Sequence, residues 1–284
     1  MKRFLSLLMV LVLLFTFSTN TYATIAEKLQ GHWADSLVSR SFMAYYFPYL
    51  ARDNFAQFDP EGTITEQNFT ISLASLFKDY GYETSGIGLN NILTRENMVD
   101  LLGTKLMGID ITVDENIELP FRDINTMSSN NIELLRLLYN KMIVMGDSNA
   151  SFSPDRELSQ VEAILILQRV KEVLERMNTI AFKTLGIVQS YNNQEELIIK
   201  EQGPNLLLTI TKEFPTPGYS MTVDKIMREG KNYKIYFNIV PPKADTILPQ
   251  VITYKTLTLE VDKNSLNTVP YNFILDGYNS VIIR

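Results

Sequence analysis

Cysteine is absent from this 284-residue chain, histidine occurs once, at His32, and tryptophan once, at Trp33. These shortages remove whole classes of chemistry: they leave no Cys nucleophile, no His-based triad and no two-His zinc site. They also remove the disulfide framework, so stability has to come from core burial. Positive charge is short as well, with 26 Lys and Arg against 32 Asp and Glu, a net −6. No basic block exists to replace counterions on phosphate, which argues against nucleic acid as a partner. Long apolar runs are missing after the first 23 residues, so no later segment reaches the roughly 20 residues of a spanning helix.

The first 23 residues have the three elements of a secretory signal peptide: Lys2 and Arg3, the apolar stretch Phe4 to Phe17, and Thr21-Tyr22-Ala23 as a small-x-small cleavage site. Cutting after Ala23 leaves 261 residues with a net charge of −8, enough for two domains with a core each. The expectation is an exported chain with no transmembrane segment after cleavage.

From Ile25 to about Asn178 the apolar residues fall at helical spacing. Helices fit Ala34 to Tyr46, Glu66 to Tyr80, Arg95 to Met107, Asn131 to Met142 and Gln160 to Met177. Near Ile180 the period changes to two. Tyr233, Ile235, Phe237 and Ile239 alternate with polar neighbours, as do Leu257, Leu259 and Val261. Gly230-Lys231-Asn232 is a hairpin connection, and Pro241-Pro242 ends a strand because Pro cannot donate to the ladder. The fold class expected is α+β in two domains, a helical one over 24–178 and a mainly antiparallel β domain over 190–284.

A single start signal recurs within the helical domain. Ile64-Thr65-Glu66, Leu93-Thr94-Arg95-Glu96 and Leu158-Ser159-Gln160 each put Thr or Ser at a helix N-cap. Phe58-Asp59-Pro60 and Phe152-Ser153-Pro154 precede the first and third. With His32-Trp33-Ala34, Phe121-Arg122-Asp123 and Ile143-Val144-Met145-Gly146, these pieces resemble three degenerate S-layer homology repeats over about residues 30 to 177. The spacing is uneven, 29 residues from Ile64 to Leu93 and 65 from Leu93 to Leu158, so the middle repeat lacks most of its first half.

That resemblance implies a pseudo-threefold bundle whose grooves bind an acidic, pyruvylated secondary cell-wall polysaccharide. The family's signature Arg, whose guanidinium fork suits a carboxylate, survives only as Arg95. Trp33, Asp123 and Gly146 are the other polysaccharide-binding candidates that the resemblance marks.

Thr216-Pro217-Gly218-Tyr219-Ser220, a strand, a hairpin, Val240-Pro241-Pro242 and Gln250-Val251-Ile252-Thr253-Tyr254 are similar in order to the PrcB family's C-terminal domain. The similarity covers roughly Asn192 to Lys263. It implies protein–protein contact without catalysis, to a surface protein or a protease, with Tyr219 and Gly218 at the interface. Gly218 is expected in a turn at positive φ, and Tyr219 either packs or presents an aromatic.

No catalytic residue, metal or cofactor is expected. The functional expectation is an exported, non-catalytic protein of the cell wall or cell surface in a Gram-positive-type bacterium. The alternatives are a carboxylate-dependent hydrolase, or a secreted protease-complex accessory subunit whose helical repeats are purely structural.

Overall fold

The structure is a computed structural model that describes residues 24–276, except 84, 85, 87, 110, 112–116, 147, 148 and 268. The expected signal peptide, residues 1–23, lies outside the described residues. The fold class is α+β: seven helices among the described residues precede two four-stranded sheets. The chain divides into two compact units. The first draws on Met1–Ser72, Ile87–Leu106 and Thr112–Gln168, the second on Leu73–Gly86, Met107–Ile111 and Arg169–Arg284. The division therefore falls inside three helices, not in a linker between 178 and 190.

The helices are α1 (Ile25–Leu29), α2 (Arg40–Tyr46), α3 (Pro48–Phe55), α4 (Glu66–Asp79), α5 (Arg95–Met107), α6 (Ser129–Asn140) and α7 (Gln160–Asn178). The helix expected from Ala34 starts only at Arg40, because the Ser39 hydroxyl accepts from the Phe42 amide and caps it there. Inside α3 the backbone leaves the helix at Arg52, and Asp53, Asn54 and Phe55 take φ of 50°, 55° and 64°. Three left-handed non-Gly residues in a row are sterically costly. Lys28 Nζ holds the segment that follows, donating to the carbonyls of Phe55, Ala56 and Phe58 at 2.9, 3.0 and 2.6 Å.

The three helix starts named above meet in the first unit. The Ile64 amide donates to Leu158 O at 3.1 Å, Leu158 to Leu93 O at 2.8 Å, and Leu93 to Ile64 O at 2.9 Å. This is a closed ring. Outside it the pattern repeats: Glu66 and Gln67 amides reach Asn91 and Leu89, Arg95 and Glu96 reach Arg156 and Pro154, and Gln160 and Val161 reach Gly62 and Pro60. The first amides of a helix have no partner within it, and here each helix finds them in the loop leading to another. The hydroxyls of Thr65, Thr94 and Ser159 complete the caps, accepting from Asn68, Asn97 and Glu162 at 3.2, 3.2 and 3.3 Å. Ile64, Leu93 and Leu158 are buried, as are Phe69, Met98 and Ala163 five residues on, the two positions of a hydrophobic staple.

In the second unit the strands are β1 (Thr179–Ile180), β2 (Phe182–Ser190), β3 (Glu196–Gln202), β4 (Asn205–Phe214), β5 (Ser220–Glu229), β6 (Asn232–Val240), β7 (Thr253–Asp262) and β8 (Asn272–Leu275). They form sheets of order β1-β5-β6-β8 and β2-β7-β4-β3, antiparallel throughout except β6 with β8. Leu206, Leu208, Ile210, Leu257, Leu259 and Val261 from one sheet and Ile226, Tyr233, Ile235 and Phe273 from the other make the core. The Gly230-Lys231 turn joins β5 to β6, with Glu229 opposite Asn232. The strands begin at Thr179, before the expected start at 190. A bulge between Thr184 and Gly186 breaks the alternation of β2, which hid it in the sequence.

Helix α6 ends in a Schellman motif: Ile143 N donates to Leu138 O and Met142 N to Tyr139 O, with Met142 at φ 59°. A non-Gly residue is strained at this left-handed position, and Met142 is exposed there. Met142→Gly is expected to stabilise the protein by about 0.5–1 kcal/mol and raise the melting temperature by about 2–4 °C, read by calorimetry.

Candidate functional site

Arg95 opens α5 and lies at the helix start, where an exposed fork was expected. It is only 7% exposed. Its Nε donates to Phe152 O at 2.6 Å, one Nη to Glu162 Oε1 at 2.9 Å, and its guanidinium lies 4.8 Å from the Phe152 ring centre. Arg156, half-exposed, takes the same carboxylate at 2.5 and 3.0 Å, and the Ser159 amide joins it at 3.2 Å. Burial opposes ionisation of Glu162, but the bond from Arg156, the Arg95 charge and the Ser159 amide outweigh it and lower its pKa. Arg95 thus clasps the Phe152-Ser153-Pro154 turn onto α5 instead of facing solvent.

Gln160, at the same position of α7, does the same job without charge. Its Oε1 accepts from the Asp59 amide at 3.1 Å, fixing the Phe58-Asp59-Pro60 turn. A side chain at the first helical residue therefore ties down a Phe-x-Pro turn at two of the three starts.

Asp123 and Gly146 occupy the third repeat and serve its shape. The Asp123 carboxylate accepts from the Phe152 and Ser153 amides at 2.8 Å each and from the Ser151 hydroxyl. Burial opposes its ionisation, but these bonds together bring its pKa from 3.8 down to about 2. At Gly146 an added Cβ would stand 2.4 Å from the Phe121 ring, so no side chain fits. Beside them Pro120, Phe121, Tyr139, Met142, Met145 and Gly146 line an open, largely apolar groove of about 570 Å³. Arg122 and Lys141 neighbour its walls in sequence.

Trp33 is 59% exposed. Its ring centre lies 5.3 Å from that of His32, tilted by 35°. His32 Nδ1 accepts from the Ala34 amide at 3.2 Å, which leaves Nε2 to carry the proton to Glu61 at 2.8 Å. The Trp33 ring therefore turns an aromatic face toward solvent beside His32. Of the four polysaccharide candidates, Asp123 and Gly146 shape the segment around Phe121 and Phe152, Arg95 ties into the Phe152-Ser153-Pro154 turn, and Trp33 stands beside His32.

In the second unit Gly218 stands in a turn, as expected of it, but not at positive φ. It is needed for close approach: an added Cβ would meet Leu248 at 2.2 Å and Pro242 at 2.8 Å. Tyr219 is partly buried, stacks on Phe214 at 5.3 Å and 25°, and packs against the core. Lys212, buried on β4, sits 4.6 Å from the Phe237 ring centre.

A polar cluster that no motif announced covers the opposite face of β5 and β6. Lys225 and Lys234 lie 5.2 and 4.9 Å from the Tyr236 ring centre. Tyr236 donates to Glu229, Lys225 pairs with Glu175 at 3.3 Å, and Lys234 with Asp276 at 2.9 Å. Burial first, and then Glu229, push the Tyr236 phenol up, the direction opposite to an activated nucleophile. Its members lie up to 101 residues apart, so only the folded chain shows the cluster.

The order of β4 to β7 and the loops between them decide the comparison with known families. Residues 206–262 match the PrcB C-terminal family. This PrcB-like segment runs from the second residue of β4 to the end of β7 and includes Gly218, Tyr219 and Lys212. No curated protein matches the chain.

Asp123 gives a pH test. Its folded pKa is depressed, so its contribution is fully present above the ordinary 3.8 and is lost as pH falls through about 2. Asp123→Ala is therefore expected to lower the melting temperature at pH 7, with the gap to wild type narrowing as pH falls from 4 to 2. A gap that stays constant over this range would separate the loss from the carboxylate charge.

Proposed function

We propose that this is an exported, non-catalytic cell-surface protein. Its helical unit, a degenerate set of S-layer homology repeats, grips an acidic, pyruvylated secondary wall polysaccharide, and its β unit presents a PrcB-like interaction module. The observation that carries the polymer reading is the exposed face of Trp33 beside the His32 ring. Solvent-facing aromatics suit the apolar faces of sugar rings. The ring of three helix starts supports the repeat reading, because it repeats one set of contacts three times.

Arg95 has a different role in this proposal from the one its motif implied. It holds the Phe152-Ser153-Pro154 turn, and the acidic groups of the polymer meet Arg122 and Lys141, the cations next in sequence to the groove residues Phe121 and Met142. The match at 206–262 favours a protein partner for the β unit, a surface protease being the class the family name points to.

The experiment is retention of the purified mature protein on cell walls, before and after the secondary polymer is stripped. Trp33→Ala is expected to weaken retention about five-fold, the equivalent of about 1 kcal/mol of aromatic contact, at unchanged melting temperature. Arg122→Ala with Lys141→Ala is expected to weaken it further and to flatten its salt dependence. Arg95→Ala is expected to lower the melting temperature first, since it leaves the Phe152 carbonyl without that donor. Equal retention on stripped and intact walls, or no loss in the Trp33 and Arg122/Lys141 variants, would overturn the polymer reading.

A further inference from the structure

The chain has 11 methionines and no cysteine, so thioethers are its only sulfur. Among the described residues Met43, Met98, Met127, Met221 and Met227 are buried, whereas Met107, Met142, Met145 and Met177 are exposed. Met142 and Met145, 71% and 53% exposed, both line the groove beside Phe121, and Met107 and Met177 do not.

The backbone fixes this display. Met142 is the left-handed residue that ends α6, its amide bound to Tyr139 O at 2.9 Å. Ile143 and Val144, the two residues between the methionines, are buried, which pins the segment from below and leaves both methionine side chains at the surface. The other lining side chains carry only the Tyr139 hydroxyl and the Asn140 amide as polar groups. The two thioethers are thus a large part of what makes the groove apolar.

We infer that Met142 and Met145 are a paired oxidation site, at which a peroxide converts both thioethers to sulfoxides and switches the groove from apolar to polar. At each sulfur a lone pair attacks one peroxide oxygen. The O–O bond breaks, an S–O bond forms, and after proton transfer one water leaves. Sulfur loses two electrons and the peroxide gains them, so the step needs no further reagent. Accessible cysteine thiolates would compete for the oxidant, and this chain has none. The new oxygen is a strong acceptor on a wall with few donors. A ligand packed there must leave it to water or bury it unpaired, and either outcome weakens binding. Sulfoxide reductases reverse the step, so the groove can be restored. The consequence for wall binding rests on the polymer reading above; the chemistry at sulfur does not.

The test treats the purified mature protein with hydrogen peroxide, follows each methionine by peptide mass spectrometry, and then measures retention on intact walls. Met142 and Met145 are expected to gain one oxygen each well before the five buried methionines. Retention is expected to fall about ten-fold, the scale of burying an unpaired polar group, and to return after treatment with methionine sulfoxide reductases of both stereospecificities. Met142→Leu with Met145→Leu, compared with its own untreated sample, is expected to lose no retention to peroxide. Met107→Leu with Met177→Leu is expected to lose as much as wild type. Oxidation of Met142 and Met145 no faster than that of the buried five overturns the inference. So does unchanged retention of the oxidised wild type, or a loss that persists in the Met142/Met145 variant. Untreated protein held equally by stripped and intact walls would show, before any peroxide is added, that the polymer reading has failed, and the effect on binding falls with it.

Discussion

Three backbone hydrogen bonds, passed from Ile64 to Leu158, from Leu158 to Leu93 and from Leu93 back to Ile64, constrain everything in the helical unit. Each helix start contributes one donor and one acceptor, so the ring cannot close with any start missing. The neighbouring bonds extend the dependence, since the first two amides of α4, α5 and α7 each end on carbonyls of another repeat's loop. A buried helix end without such partners costs the full desolvation of each amide. No helix of the three can therefore hold its own start, and each start has the same apolar residue and hydroxyl cap. The starts are spaced unevenly, by 29 and 65 residues, and the ring closes across both intervals.

This changes the meaning of the motif residues. A side chain at the first helical position ties a Phe-x-Pro turn to the ring, by a guanidinium at Arg95 and by an amide at Gln160. Arg95 has a stronger bond but needs Glu162 and Arg156 to balance its charge in a buried place. Gln160 does the work with no charge to balance. Arg95 and Gln160 thus hold equivalent turns by different chemistry, and the framework displays the Trp33 face and the Phe121–Met145 groove to solvent.

The features of the fold that were legible are the local ones. Caps at Thr65, Thr94 and Ser159, the helical period of α6 and α7, and the alternation of β4, β6 and β7 depend on residues a few positions apart. What stayed hidden in the sequence depends on distant partners. Arg95 reads as a surface fork until Phe152 and Glu162 are seen to enclose it. Gly218 reads only as a turn glycine until Leu248 and Pro242 close over it. Asp123 and Gly146 shape the local fold, since one caps a turn and the other makes room for Phe121. The division into two compact units was hidden because α4, α5 and α7 continue through it without any change of period. The cluster around Tyr236 draws on α7, the strands β5 and β6, and the residue after β8, and no sequence window contains it.

Native-state hydrogen exchange of the mature protein measures directly whether the ring is one cooperative element. The amides of Ile64, Leu93 and Leu158 are predicted to exchange with a single opening free energy, because breaking one bond frees a donor and an acceptor shared by the others. Replacing Leu93 by Ala should lower all three protections together, including those of Ile64 and Leu158, which stand in different repeats. Three distinct opening energies, or a loss confined to the Leu93 amide, would show that the repeats are held independently and that the ring is not what organises them.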